Sequence, residues 1–149
     1  MARFNAELPN DLIKAFEELE TDVPEMMGEM CKAGARVVYN KVVKNMGKVF
    51  KKPETLLKGL KITRVYKTPS DDGINVHIGF YGYSDKKTAK HPKGVPIPLM
   101  ANAREYGTTV DGKQREEKKP FFRKSFSKAE IEEAMLEAQS RYIKGDNNE

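Results

Sequence analysis

Two short stretches, Leu60–Tyr66 and Ile74–Phe80, alternate apolar with polar residues, and the turn formers Pro69-Ser-Asp-Asp-Gly73 lie between them. A period of two belongs to a strand with one buried face, so the pair predicts an antiparallel hairpin. Upstream the period changes. Met27, Met30, Gly34, Val37, Val38 and Val42 recur at three- and four-residue steps, behind a start signal at Asp22, Pro24 and Glu25. This predicts a helix over residues 23–45, with a separate short helix before it where Asn10 and Asp11 precede Leu12, Ile13, Phe16 and Leu19. Near the other end, Ser127-Lys-Ala-Glu130 has the form of a capping box. Ile131, Ala134, Met135, Ala138 and Tyr142 then make the apolar stripe of a C-terminal helix, and Pro120 is placed for a first helical turn. The fold class that follows is α+β: an antiparallel β-sheet packed by a long N-terminal helix and a C-terminal helix.

Between these elements the readings are looser. Leu99–Tyr106 predicts a short helix stopped by Gly107, and Thr109–Lys119, with Asp111-Gly112 inside it, a second hairpin or an extended arm. Gly47–Pro53 reads as a basic linker. Ser84–Pro98 is rich in Lys, Gly and Pro without periodicity, which predicts a mobile loop, and Gly145–Glu149 a disordered tail. Residues 1–144 are then a single domain. Tyr66, Phe80, Tyr81 and Tyr83 alternate with Val, Ile and Gly, so they are expected to fill a small core rather than to stack on bases.

Only 38% of the 149 residues are apolar and 33% are charged, which leaves a small core and a large solvated or partner-facing surface. The net charge of +5 is unevenly spread. Residues 1–35 hold 3 basic and 8 acidic side chains, residues 36–67 hold 10 basic and 1 acidic, and the last stretch is acidic again. Such segregation suits nucleic acid, and equally suits head-to-tail contact between copies. Cys31 is the sole cysteine, expected as a buried, inert thiol, so neither an intrachain disulfide nor a cysteine-based zinc site can form. His77 and His91 stand apart with no carboxylate at ligand spacing. Glu17 and Glu18, or Glu132 and Glu133, fall on helix faces expected to be solvated. No catalytic, cofactor-binding or metal-binding constellation is recognisable, and no apolar run approaches the length needed to span a membrane.

Arg104-Glu105-Tyr106-Gly107-Thr108, followed twelve residues on by Pro120-Phe121-Phe122-Arg123, resembles the C-terminal signature of the tail-completion, or head-tail joining, proteins of long-tailed bacteriophages. That signature is a Glu-aromatic-Gly-Thr motif, a variable loop, and a Pro-Phe-Leu-Arg-like motif entering the last helix. Phe122 stands here where Leu is usual, and Lys124 where a second Pro is common. The resemblance implies a structural assembly protein, not an enzyme. It would form a homo-oligomeric ring, often of six subunits, at the top of the tail tube and join it to the DNA-filled head. Its partners would be the tail tube protein and the head connector proteins, with nucleic acid bound at most nonspecifically and no membrane. Its location would be the virion, after assembly in the host cytoplasm. The interaction residues so implied are Glu105, Tyr106, Gly107, Thr108, Pro120, Phe121, Phe122 and Arg123. The alternative, resting on the basic middle segment and the aromatic hairpin, is a small nucleic-acid-binding or RNA-cleaving protein. The charges of Glu105 and Arg123 suggest a tie: a carboxylate beside buried aromatics needs either Arg123 or the free amides after Pro120 as partner.

Overall fold

The computed structural model describes residues 10–145 apart from Asp71 and Asp72, with side chains described over 23–142. Residues 146–149, most of the expected tail, lie outside the described residues, and Gly145 closes the last helix. The element order is α1 (Asn10–Val49), α2 (Glu54–Gly59), β1 (Leu60–Ile62), β2 (Tyr66–Lys67), β3 (Ile74–Asn75), β4 (Ile78–Phe80), α3 (Ile97–Tyr106), β5 (Thr108–Val110), β6 (Lys113–Glu116), a 3-10 turn at Arg123–Ser125, and α4 (Lys128–Gly145). The α+β class holds, with small antiparallel ladders against a long N-terminal helix and a C-terminal one.

The two expected N-terminal helices are one. Helix α1 runs unbroken for 40 residues with Pro24 inside it. A proline in a helix interior removes one backbone bond and crowds the carbonyl four residues back, at a cost of about 3 kcal/mol, but long helical runs on both sides bridge it. Asp22 and Pro24 are therefore a weak point within a helix, not a boundary. The helix also continues past residue 45 to Val49, so the basic linker shrinks to residues 50–53.

The 60–80 hairpin forms in two parts. Leu60 pairs with Phe80 and Ile62 with Ile78, whereas Tyr66 pairs with Asn75 and Lys67 with Ile74. The register shifts by one residue between the parts because three residues, Thr63 to Val65, face two, Val76 and His77. This is a bulge on the first strand. At the bulge His77 N–H donates to the Thr63 hydroxyl, 2.8 Å, while Thr63 N–H donates to His77 O, 2.8 Å.

The core is drawn from widely separated parts of the chain: Val38, Val42 and Met46 on α1, Leu56 on α2, Leu60 on β1, Ile97 and Ala101 on α3, and Phe121. Helix α4 lies along α1, with Ile131 and Met135 closing on Gly34. At the other end of the α1 stripe Met27 emerges into solvent. Glu130, expected to fold back in a capping box, instead pairs with Lys41 of α1. Pro120 does not open a helical turn; the chain passes through the 3-10 turn first, and α4 starts at Lys128.

Three of the four aromatics expected in the core are outside it. Tyr66, Tyr81 and Tyr83 are exposed, and only Phe80 packs inward, against Phe121 and Phe122. The bulge accounts for Tyr66, which it turns outward onto His77, ring to ring at 5.0 Å. Nor is Ser84–Pro98 unpaired, as its composition suggested. Ser84 N–H donates to Val95 O, Val95 N–H to Lys86 O, and Thr88 and His91 exchange backbone bonds, while Tyr83 bridges to Pro96. Gly94, at φ 116°, is pressed against the Ser84 carbonyl so closely that a Cβ there would lie 2.0 Å from that oxygen. Cys31 is half-buried, its thiol facing the Ile74 carbonyl at 3.8 Å, and burial pushes its pKa up.

Candidate functional site

The two motifs that stand apart in sequence meet in space. Helix α3 ends at Tyr106, and Gly107 turns the chain at φ 77°, a conformation that side chains disfavour. A Cβ on Gly107 would sit 2.7 Å from the Glu116 carbonyl, so the residue is fixed twice over. Strands β5 and β6 then form the second hairpin, with Asp111 at φ 52° and Gly112 at φ 74° as a two-residue turn of the kind that suits the strand twist. Thr108 is half-buried at its root opposite Glu116. Lys119 N–H donates to Arg104 O at 2.9 Å and returns the chain to its point of departure.

There Glu105 takes hold of the second motif. Only 3% of the residue is exposed. Its Oε2 accepts from the N–H groups of Phe121 (2.8 Å) and Phe122 (3.0 Å), and its Oε1 from the Arg123 N–H (3.1 Å) and Nε (2.9 Å). Both partnerships foreseen for this carboxylate are therefore made together. The three amides are consecutive and lead into the 3-10 turn, so one carboxylate collects them all. Burial by itself pushes the Glu105 carboxyl up. The Phe121 and Phe122 amides, with the Arg123 side chain and amide, outweigh that and hold it below its ordinary value. A carboxylate has room for about four donors, and here four are present. Its acceptor positions are filled, which suits a fastener and not a proton-transfer group.

Phe121 is buried and edge-on to Phe50, ring centroids 5.2 Å apart. Phe122 is half-buried between Phe80 and Phe126. Pro120 lies half-buried ahead of them. Tyr106, expected to be buried, is 62% exposed instead. Helical geometry turns it away from Glu105, and the Arg123 guanidinium covers its ring at 4.9 Å. Arg123 thus lies between a buried carboxylate and an exposed ring, a cation–π contact at the surface. Lys124 is exposed on the 3-10 turn.

One residue of this junction had no motif to announce it. Asn45 on α1 donates through Nδ2 to the Ser125 hydroxyl (3.0 Å) and the Phe121 carbonyl (3.4 Å), and the Ser125 hydroxyl donates to that same carbonyl (2.7 Å). Its one signal is a polar side chain next to Met46 on the buried face of α1. Elsewhere, His77 is exposed at the hairpin bulge and His91 half-buried in the paired loop. Glu132 and Glu133 are exposed as expected, and the side chains of Glu17 and Glu18 lie outside the described residues. Among the described residues no three His, Cys, Asp or Glu side chains converge as a metal site, and no helix is long and apolar enough to cross a membrane. No family model, curated protein or solved structure matches the chain.

Proposed function

We propose that this chain is a structural phage assembly protein, a ring-forming subunit at the top of the tail tube that helps join the tail to the DNA-filled head. One observation carries the reading: the Glu-Tyr-Gly-Thr and Pro-Phe-Phe-Arg motifs behind the resemblance are a single physical junction, fastened by Glu105. What the junction holds in place is an arm, residues 108–119, whose β6 residues are all exposed. A fixed root beneath an uncovered arm is a device for reaching a neighbour. Exposed Val110 in the arm and Tyr106 at its root offer apolar contact, and the division of charge along the chain suits opposite sides of one subunit meeting in a closed ring.

Native mass spectrometry over a concentration and salt series, with and without tail tubes, tests the proposal. The expected result is a closed homo-oligomer, six subunits on the family's pattern, that loosens as salt rises, since exposed charges are screened over about 8–10 Å at physiological ionic strength. A monomer under every condition would count against the ring. Exposed Tyr66, Tyr81 and Tyr83 near lysines are what favours the nucleic-acid alternative. Submicromolar binding at about 150 mM salt, or RNA cleavage abolished by His77→Ala, would favour it over assembly.

A further inference from the structure

Among the described residues the strand running from β3 to β4 has a neighbour on one side only. Thr68 N–H donates to Gly73 O, Thr63 N–H to His77 O and Tyr81 N–H to Gly59 O. The odd-numbered positions from 73 to 81 therefore face the first strand of the hairpin. In an antiparallel pair the intervening residues turn their N–H and C=O groups the other way. Because the bulge's extra residue sits on the opposite strand, this alternation runs unbroken, and Ile74, Val76, Ile78 and Phe80 all present backbone groups to one outer edge, where the Cys31 thiol of α1 already meets the Ile74 carbonyl. For Ile78 and Phe80 no backbone partner exists among the described residues.

That edge is set between apolar walls. A trough of about 290 Å³ runs beside Ile74–Ile78, walled by Cys31, Gly34, Phe126, Ile131 and Met135. A second of about 200 Å³ continues beside Ile78–Phe80 against Pro98, Ala101 and Phe122. An open sheet edge flanked by apolar troughs takes an extended strand, whose backbone completes the ladder and whose alternate side chains fill the troughs.

The chain carries a segment of that form. Ahead of α1 it reads Ala2-Arg-Phe-Asn-Ala-Glu-Leu8, apolar at every even position and polar at every odd one, and as long as the 74–80 edge. It cannot serve its own subunit. Cys31, the lining residue of α1 nearest its start, lies about 30 Å up the helix from Asn10 at about 1.5 Å per residue. Phe4 can reach at most about 20 Å from Asn10 even fully extended. We infer that residues Ala2–Leu8 of one copy add as a strand to the 74–80 edge of the next, placing Phe4 and Leu8 in the apolar trough. The inference rests on the homo-oligomeric reading above and supplies it with a heterologous contact, donor segment on one side of the subunit and acceptor edge on the other.

Cys31 provides the test, since it lines the trough and is the chain's sole thiol. Phe4→Cys, oxidised with glutathione disulfide at mildly alkaline pH, is expected to give a ladder of disulfide-linked chains on a non-reducing gel. Asn5→Cys, of opposite parity, should link at least about tenfold less. Phe4→Asp should weaken association at least about tenfold by native mass spectrometry, the order expected from losing one buried aromatic, and leave the circular dichroism of the subunit unchanged. A bond from position 4 to Cys31 within a single chain would overturn exchange between copies. An oligomer indifferent to Phe4→Asp and unlinked in Phe4→Cys would overturn this inference alone, whereas a wild-type chain that stays monomeric overturns the ring as well.

Discussion

The junction at Glu105 and the arm that leaves it are neighbours in sequence and opposites in construction. At the junction a carboxylate is buried with four donors, Phe121 is enclosed by Phe50 and Phe80, and Asn45 ties the 3-10 turn to α1. In the arm, β6 is exposed along its whole length and β5 is covered only at Thr108. A two-stranded hairpin of this size is marginal alone in water, so the arm draws its position from its root. The difference teaches where stability and where contact reside: substitutions in the junction should be read by unfolding, and substitutions in the arm by association.

The sharpest break between the two regions is expected at Phe121. Phe121→Ala should destabilise the subunit by about 3–5 kcal/mol, the range for emptying a packed aromatic site. Val110→Thr in the arm should stay within about 0.5 kcal/mol. Urea unfolding measures both, and comparable losses would erase the distinction.

Next comes the carboxylate. Glu105→Gln keeps the shape but replaces one acceptor oxygen with a donor that faces amides, at an expected cost of about 2–3 kcal/mol for charged hydrogen bonds lost in a buried setting. The wild type should also carry a pH signature. Its folded carboxyl titrates below the unfolded one, so its contribution is complete above about pH 4.3 and is lost as pH falls through the folded value. Unfolding curves from pH 6 to 3 should show that loss in the wild type, and the loss attributable to residue 105 should vanish in Glu105→Gln.

Gly107→Ala should cost about 2 kcal/mol, combining a disfavoured backbone conformation with a Cβ 2.7 Å from the Glu116 carbonyl. Its mirror in the arm, Gly112, has open space around its Cβ position and only the φ of 74° against it, so Gly112→Asn should be tolerated at a few tenths of a kcal/mol. Thermal unfolding of the pair separates a position fixed by contact from one fixed by turn type alone.

The weakest tie within the junction is expected at Arg123. More than half of its side chain is exposed, so its ion pair with Glu105 is screened, and a double-mutant cycle of Glu105→Gln with Arg123→Gln should return a coupling of about 1 kcal/mol or less. A larger coupling would make the guanidinium, rather than the backbone amides, the principal partner of the carboxylate.

Periodicity made the long helix, the hairpin and the C-terminal helix legible in the sequence, because burial of one face imposes a period that composition alone cannot hide. Gly107 and Asp111-Gly112 were legible for a different reason: few residues accept their backbone angles. The Glu105 tie was readable from charge set beside aromatic bulk. Three things were not. Pro24 looked like a boundary because propensity is local while helix propagation is not. The bulge at Thr63–Val65 leaves the alternation of the opposite strand intact, and nothing in composition marks where Tyr66 turns outward. The order in Ser84–Pro98 comes from backbone bonds and a glycine contact, neither of which leaves a hydrophobic period to read.

The arm departs at Gly107 and returns at Lys119, whose amide meets the Arg104 carbonyl. Nothing about that closure depends on how far the chain travels in between. Adding a residue to each strand at the Asp111-Gly112 tip would lengthen the arm by about 3.4 Å and leave the helices untouched. The subunit is thereby built like a caliper with an adjustable jaw: insertions at one tip could match it to neighbours of different girth, while the body is inherited unchanged.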